Sequence, residues 1–204
     1  MSSSRVDSSP TLRWRTVDIV VASTIAVAFG VIFWAWGLLW AGPFTAAFGS
    51  FLPALAITNG MWFVPVALAP LIIRKPGASL FTEVVAATVS ALLGSYWGWV
   101  VVLQGALQGL GGEIAFGAFG YKRYGVPQAM LAGALAGAAA TAVDIIANPG
   151  GVGDYSTNWQ IAYGACQILS GAVIAGLGSV VLTKALSGTG VLDRFPAGRT
   201  RQLV

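Results

Sequence analysis

Residues 102–123 read VLQGALQGLGGEIAFGAFGYKR. Most of the stretch is apolar enough for lipid, and it ends on a basic pair, Lys122 and Arg123. Inside it stand Gln104, Gln108, a glycine cluster at 109–112 and a carboxylate, Glu113. A polar group in hydrocarbon costs several kcal/mol unless it is partnered, and an ionised one costs more. Either the segment is not a membrane span, or its polar residues face the inside of a bundle.

Composition decides for the bundle. The chain of 204 residues is 56% hydrophobic and only 9% charged, with a mean hydropathy of +0.78. So few charges cannot cover a water-facing surface, and soluble domains carry nearer a quarter. Apolar runs at 16–40, 57–73, 79–95, 99–119, 127–147 and 159–183 each suit a spanning helix of roughly 17–25 residues. The fold class is therefore all-α integral membrane, a six-transmembrane-helix bundle. Residues 1–15 form an N-terminal tail, 16–183 the membrane domain and 184–204 a C-terminal tail. The polar, basic start followed by a long apolar run does not match a cleavable signal peptide.

Charge gives the orientation. With the N-terminus inside, the cytoplasmic segments hold Arg5, Arg13, Arg15, Arg74, Lys75, Lys122, Arg123, Lys184, Arg194, Arg199 and Arg201, which are all 11 Lys and Arg residues. Positive charge resists translocation, so this bias predicts both termini in the cytoplasm. Residues 41–56 are too apolar, with two prolines, for a plain solvent loop, and suit an interfacial segment or a lid over the outer face.

The chain has no histidine and one cysteine, Cys166. That excludes an HExxH zinc site, a Ser-His-Asp triad and an intramolecular disulfide. No metal site, cofactor or catalytic residue is expected. No Walker A sequence is present, so the chain does not itself hydrolyse ATP.

The candidate site rests on polar residues within spans and on aromatic residues at their outer ends. The polar set is Asn59, Glu83, Gln104, Gln108, Glu113, Asp144, Asn148, Gln160 and Gln167. Gln104 and Gln108 lie within about 40° on one helix face. Glu113 is about 140° away on a regular helix. A break at the glycines 109–112 would bring all three to one polar cavity. The alternative for Glu113, and equally for Glu83, is an ion pair with Lys122 or Arg123 near the inner face rather than a place in the site. Asp18 is a helix-start residue. Tyr155, Trp159, Tyr163 and Gln167 recur every fourth residue, and Trp34, Trp36, Trp40, Trp62, Trp97 and Trp99 crowd the outer side. Anchoring at the headgroups would populate both membrane faces, but only Trp14 lies at the inner one. Outward aromatic faces and carboxylates describe a site for a flat, cationic heterocycle. Ala22, Ala26 and Gly30 line one face of the first span, a groove that lets another helix approach closely. Gly133 with Gly137, and Gly171 with Ala175 and Gly178, do the same in the fifth and sixth.

TVDIVVASTIAVAFGVIFWAWGLLW at 16–40, LLGSYWGWVVVLQGALQGLGGEIAFGAFGYKRYG at 92–125 and TGVLDRFPAGR at 189–199 resemble the substrate-binding (S) components of energy-coupling-factor (ECF) vitamin transporters, in the YkoE-type thiamin-related branch. The resemblance implies a high-affinity capture subunit for a vitamin, thiamin or its hydroxymethylpyrimidine precursor. It also implies docking through Ala22, Ala26 and Gly30 onto a transmembrane coupling subunit, driven by two cytoplasmic ATPase subunits. The ligand would then sit among Glu113, Gln104, Gln108, Asp144, Trp34, Asn59, Trp62, Trp97, Trp159, Tyr163 and Gln167. The competing reading is a small intramembrane enzyme acting on a lipid or isoprenoid, which would want a DxxD-type metal site or a histidine base. Neither is present.

Overall fold

The computed structural model describes residues 12–147 and 151–199. Arg5, Asn148 and Arg201, and the side chain of Arg199, lie outside the described residues. Six long helices follow in order: α1 Thr16–Phe48, α2 Leu52–Ile73, α3 Ala78–Leu92, α4 Val100–Gly117, α5 Val126–Ile146 and α6 Thr157–Gly188. A short α7 covers Pro196–Arg199. No strand occurs among the described residues. All the long helices except α3 are long and apolar enough to cross a membrane; α3 has 15 residues, about 22 Å at 1.5 Å per residue.

Two boundaries differ from the sequence expectation. Residues 41–56 are mostly helix rather than loop. Pro43 cannot donate a backbone hydrogen bond, and a widened π turn over Trp40–Phe44 absorbs it without ending α1. The last helix continues past 183 to Gly188.

The sequence VPVALAPLII is apolar on every side, the pattern of a helix with no solvent face. Every residue from Val64 to Ile73 is indeed buried. Helix α2 is the axis of the bundle, and α1, α3, α4, α5 and α6 wrap around it in the packing order α1–α3–α4–α5–α6. Prolines cost α2 backbone hydrogen bonds, and serines of its neighbours make up the deficit. Pro70 has no N–H for the carbonyl of Val66, which instead accepts from Ser79 Oγ at 2.6 Å. Ser179 Oγ donates to the Val64 carbonyl at 3.0 Å. Pro65 likewise has nothing to give Met61, and the chain tightens to a 3-10 turn over Asn59–Phe63. At that turn Ser170 Oγ accepts from the Gly60 N–H at 2.9 Å and donates to the Ile57 carbonyl at 2.5 Å. The break in α2 is thus satisfied within the protein, as a non-aqueous environment requires.

Small residues set the helix spacing. On α4, a Cβ at Gly105 would stand 2.7 Å from Ala87 Cβ, and one at Gly109 2.7 Å from Leu80 Cα. Gly111 meets the backbone of Leu135 on α5 and Gly112 meets Val66 and Ser79, so the glycine cluster serves close packing on α2, α3 and α5, and α4 stays a continuous helix through 109–112. The expected break does not occur. Gly133 and Gly171 bring α5 and α6 into backbone contact, and Gly137 meets the backbone of Gln167 and Ile168. Gly178, by contrast, faces open space.

The groove on α1 is also internal. Ala22 and Ala26 are 0% exposed and Gly30 is buried; a Cβ on Gly30 would lie 2.5 Å from Val89 Cβ on α3. The expected docking face is occupied by the protein's own α3, because small residues admit whichever helix comes nearest.

Glu113 has a different place from the one its sequence position suggests. Its carboxylate accepts hydrogen bonds from the N–H groups of Gly77 at 2.8 Å, Ser79 at 2.9 Å and Leu80 at 3.3 Å. These are donors that the first turn of α3 cannot satisfy itself, and a negative charge there suits the helix dipole. The Tyr121 hydroxyl donates a fourth bond at 2.8 Å. Burial first, and this bond to Glu113 second, push the Tyr121 phenol up to about 12, so it remains a donor. Asp18 does for α1 what was expected: its carboxylate accepts from the Arg15 N–H at 2.9 Å and pairs with the Arg15 guanidinium at 2.8 Å.

Two outcomes follow from this packing. Gly133→Ala should force α5 from α6 and lower stability by about 1–3 kcal/mol, whereas Gly178→Ala should be neutral or stabilising by up to about 1 kcal/mol; thermal unfolding in detergent separates them. Glu113→Ala should destabilise by about 2–3 kcal/mol, because buried backbone donors lose their acceptor, while leaving ligand affinity within twofold of the parent; calorimetric titration of the surviving folded fraction checks the second half.

Candidate functional site

A cavity of about 380 Å³ lies at the end of the bundle opposite the basic turns, among α1, α2, α3, α4, α5 and α6. The break in α2 presents Asn59 to it, and the turn between α3 and α4 supplies Tyr96 and Trp97. That turn is tight because Gly94 (φ 89°) and Gly98 (φ 59°) adopt the left-handed conformation that glycine takes without strain.

A hydrogen-bonded chain runs along one wall. Trp40 Nε1 donates to Asn59 Oδ1 at 3.1 Å, and Asn59 Nδ2 donates to the Tyr163 hydroxyl at 3.1 Å. Tyr163 in turn donates to Asp144 Oδ2 at 2.9 Å. Gln104 donates to Asp144 Oδ1 at 2.7 Å, and Gln167 Nε2 approaches Oδ2 at 3.3 Å. Asp144 is thereby held by three side chains from α4 and α6.

Glu83, on α3, lines the same cavity. It is 1% exposed, and neither carboxylate oxygen has a hydrogen-bond partner. It does not pair with Lys122 or Arg123, which lie at the other end of the bundle. Gln167 Oε1 is also buried without a partner. The cavity therefore presents unsatisfied acceptors. The outer rim is aromatic: Trp97 meets Trp40, Trp62 and Tyr96 edge-on, with ring centroids 5.1, 5.3 and 5.3 Å apart.

Of the residues expected at a site, the structure brings together Gln104, Gln108, Asp144, Asn59, Trp62, Trp97, Tyr163 and Gln167 around one cavity. Three lie elsewhere. Glu113 caps α3 at the opposite end. Trp34 is half-buried but about 120° around α1 from Trp40, which takes the lining position with Phe33. Trp159 is exposed in the first turn of α6 and packs edge-on against Phe51 at 5.6 Å. Sequence reasoning did not place Trp40, Tyr96 or Ser90 in the site and left Glu83 undecided. The signal for Glu83 and Ser90 was available: with Ser79 they recur at intervals of four and seven, one polar face on an otherwise apolar helix.

The family model described as "ABC-type cobalt transport system, permease component" matches residues 17–139. The "Putative HMP/thiamine permease protein YkoE" of Bacillus subtilis (strain 168) is 35% identical over 187 residues, covering 91% of each chain. A solved structure titled "Crystal structure of an S-component of ECF transporter" superposes with a TM-score of 0.85 at 32% identity, covering 93% of this chain and 94% of the other. These relatives are transport subunits, not enzymes, which removes the lipid-enzyme alternative. With a helical membrane bundle, an aromatic cavity at one end and this similarity along nearly its whole length, the chain belongs to the S components of ECF transporters, in the YkoE-type branch.

Proposed function

We propose that the cavity captures a planar, cationic or amino-bearing heterocycle from the outer side of the cell membrane, namely thiamin or its hydroxymethylpyrimidine precursor. Transport would then proceed with a transmembrane coupling subunit and two cytoplasmic ATPase subunits. The orientation rests on charge: the described basic residues Arg13, Arg15, Arg74, Lys75, Lys122, Arg123 and Arg194 fall in turns and tails, and Lys184 in the last turns of α6, at the end away from the cavity, and such segments stay cytoplasmic. Six spans, an even number, would put both termini on that same side.

One observation carries the ligand class. The fully buried cavity atoms without a partner, both oxygens of Glu83 and Gln167 Oε1, are all acceptors, which favours a ligand that brings N–H donors or a positive charge. An aminopyrimidine donates its amino N–H to one carboxylate oxygen and, with its ring nitrogen protonated, a second N–H to the other, and charge-assisted contacts of this kind are among the stronger hydrogen bonds. A thiazolium would stack on or face the tryptophans of the rim. The name of the Bacillus relative agrees with this ligand. Cobalt, in the description of the family model, does not: the chain has no histidine, and the described residues contain no group of three His, Cys, Asp or Glu able to hold a metal ion.

Isothermal titration in detergent should show tight binding of thiamin or hydroxymethylpyrimidine without ATP, and none of riboflavin. Absence of heat with both of the first two would remove the assignment. Glu83→Gln should weaken binding by about 10- to 150-fold, the loss of one charge-assisted contact of about 1.5–3 kcal/mol. It should leave the melting temperature of the free protein unchanged or higher, since an unpaired buried carboxylate stabilises nothing.

A further inference from the structure

A second cavity, of about 530 Å³, opens at the basic end of the bundle between the C-terminal ends of α2 and α6 and the start of α5. Its polar walls are Arg74, Lys184, Tyr124 and Thr183; its apolar walls include Leu71, Val126 and Val180. Ser187 and Ala197 complete it, and no carboxylate lines it among the described residues. Arg74 holds its guanidinium over the Tyr124 ring, 5.6 Å from the centroid, and Tyr124 is fixed by stacking on Phe116 at 5.4 Å. Arg74 Nε and the Tyr124 hydroxyl are both buried without a hydrogen-bond partner. Burial pushes the Tyr124 phenol up to about 12, so that hydroxyl is a donor. The 21-residue helix α5 begins at the pocket wall with Gly125 and Val126, and its dipole adds positive potential there.

A cation at the end of α2 is explained by the helix dipole alone. That does not explain a second cation across the pocket, or two buried donors left unused. Donors, cations and a helix N-terminus converge with no acid among the described lining residues to answer them, and the adjoining walls are apolar.

We propose that this pocket binds the phosphate group of an anionic phospholipid, with the first acyl carbons against Leu71, Val126 and Val180. The lipid is preferred to a free phosphate because the apolar walls are continuous with the basic ones. On the charge-based orientation the pocket faces the inner leaflet, where anionic headgroups accumulate and each nearby Lys or Arg adds attraction. The inference does not depend on what the outer cavity captures.

Native mass spectrometry of the full chain tests it. Detergent-purified protein is mixed with phosphatidylglycerol and phosphatidylcholine of equal chain length, or with inorganic phosphate alone. Two cations at about fivefold each predict a preference for phosphatidylglycerol of about 25-fold. Arg74→Gln/Lys184→Gln should abolish that preference. The exposed single change Lys184→Gln, which carries little risk to folding, should lower it about fivefold. Lys122→Gln/Arg123→Gln, at the same end but outside the pocket, should keep it. Equal retention of the two lipids, or a preference that survives both pocket variants, would overturn the site. Binding of inorganic phosphate without any lipid preference would overturn the lipid assignment in favour of a free anion.

Discussion

In a bundle surrounded by hydrocarbon there is no water to satisfy a polar group, so each must find its partner inside the protein. This constraint sorts the polar residues of the chain. Ser79 and Ser179 serve α2 carbonyls, Ser170 closes the break at Gly60, Asp18 starts α1 and Glu113 starts α3. Once these are assigned, few buried polar atoms remain without partners, and Glu83 and Gln167 Oε1 both stand at the outer cavity. A functional site shows itself as what the structural bonds leave over.

The central helix makes this arrangement possible. Because α2 is broken at Asn59–Phe63, its upper part turns Asn59 into the chain that runs from Trp40 to Asp144. The same break depends on Ser170 and on Gly60, where a Cβ would stand 2.6 Å from the Ser170 carbonyl oxygen. A strong fixed wall formed by Asp144, Tyr163, Gln104 and Gln167 then shares the cavity with a single uncommitted carboxylate. Such a division suits capture: one side is preorganised, and the other gains its partner only when the ligand arrives.

Fold class was legible because hydropathy and charge are summed properties, insensitive to detail. The polar and aromatic residues that gather around the cavity were legible by periodicity, as Gln104 with Gln108 and Tyr163 with Gln167 show. What misled was sign. GLGG reads equally as a break or as close packing, and the difference lies in Ser79 and Leu80 of one neighbouring helix and Leu135 of another. Ala22, Ala26 and Gly30 mark a helix contact without saying which helix. Glu113 and Glu83 are both acidic residues in apolar runs, and only the location of the α3 N-terminus, one turn from Glu113 in space, assigns the first to structure and releases the second. Trp34 and Trp40 differ by less than two turns, which is enough to point one away from the cavity.

The central claim is that Glu83, kept without a protein partner, is the group that meets the ligand. Infrared difference spectroscopy on ligand addition reads that carboxyl directly. Adding thiamin to the parent protein should change a carboxyl band, and that change should be missing from Glu83→Gln at ligand concentrations that saturate both. An identical carboxyl difference band in the two proteins, or none in the parent at saturation, would contradict it.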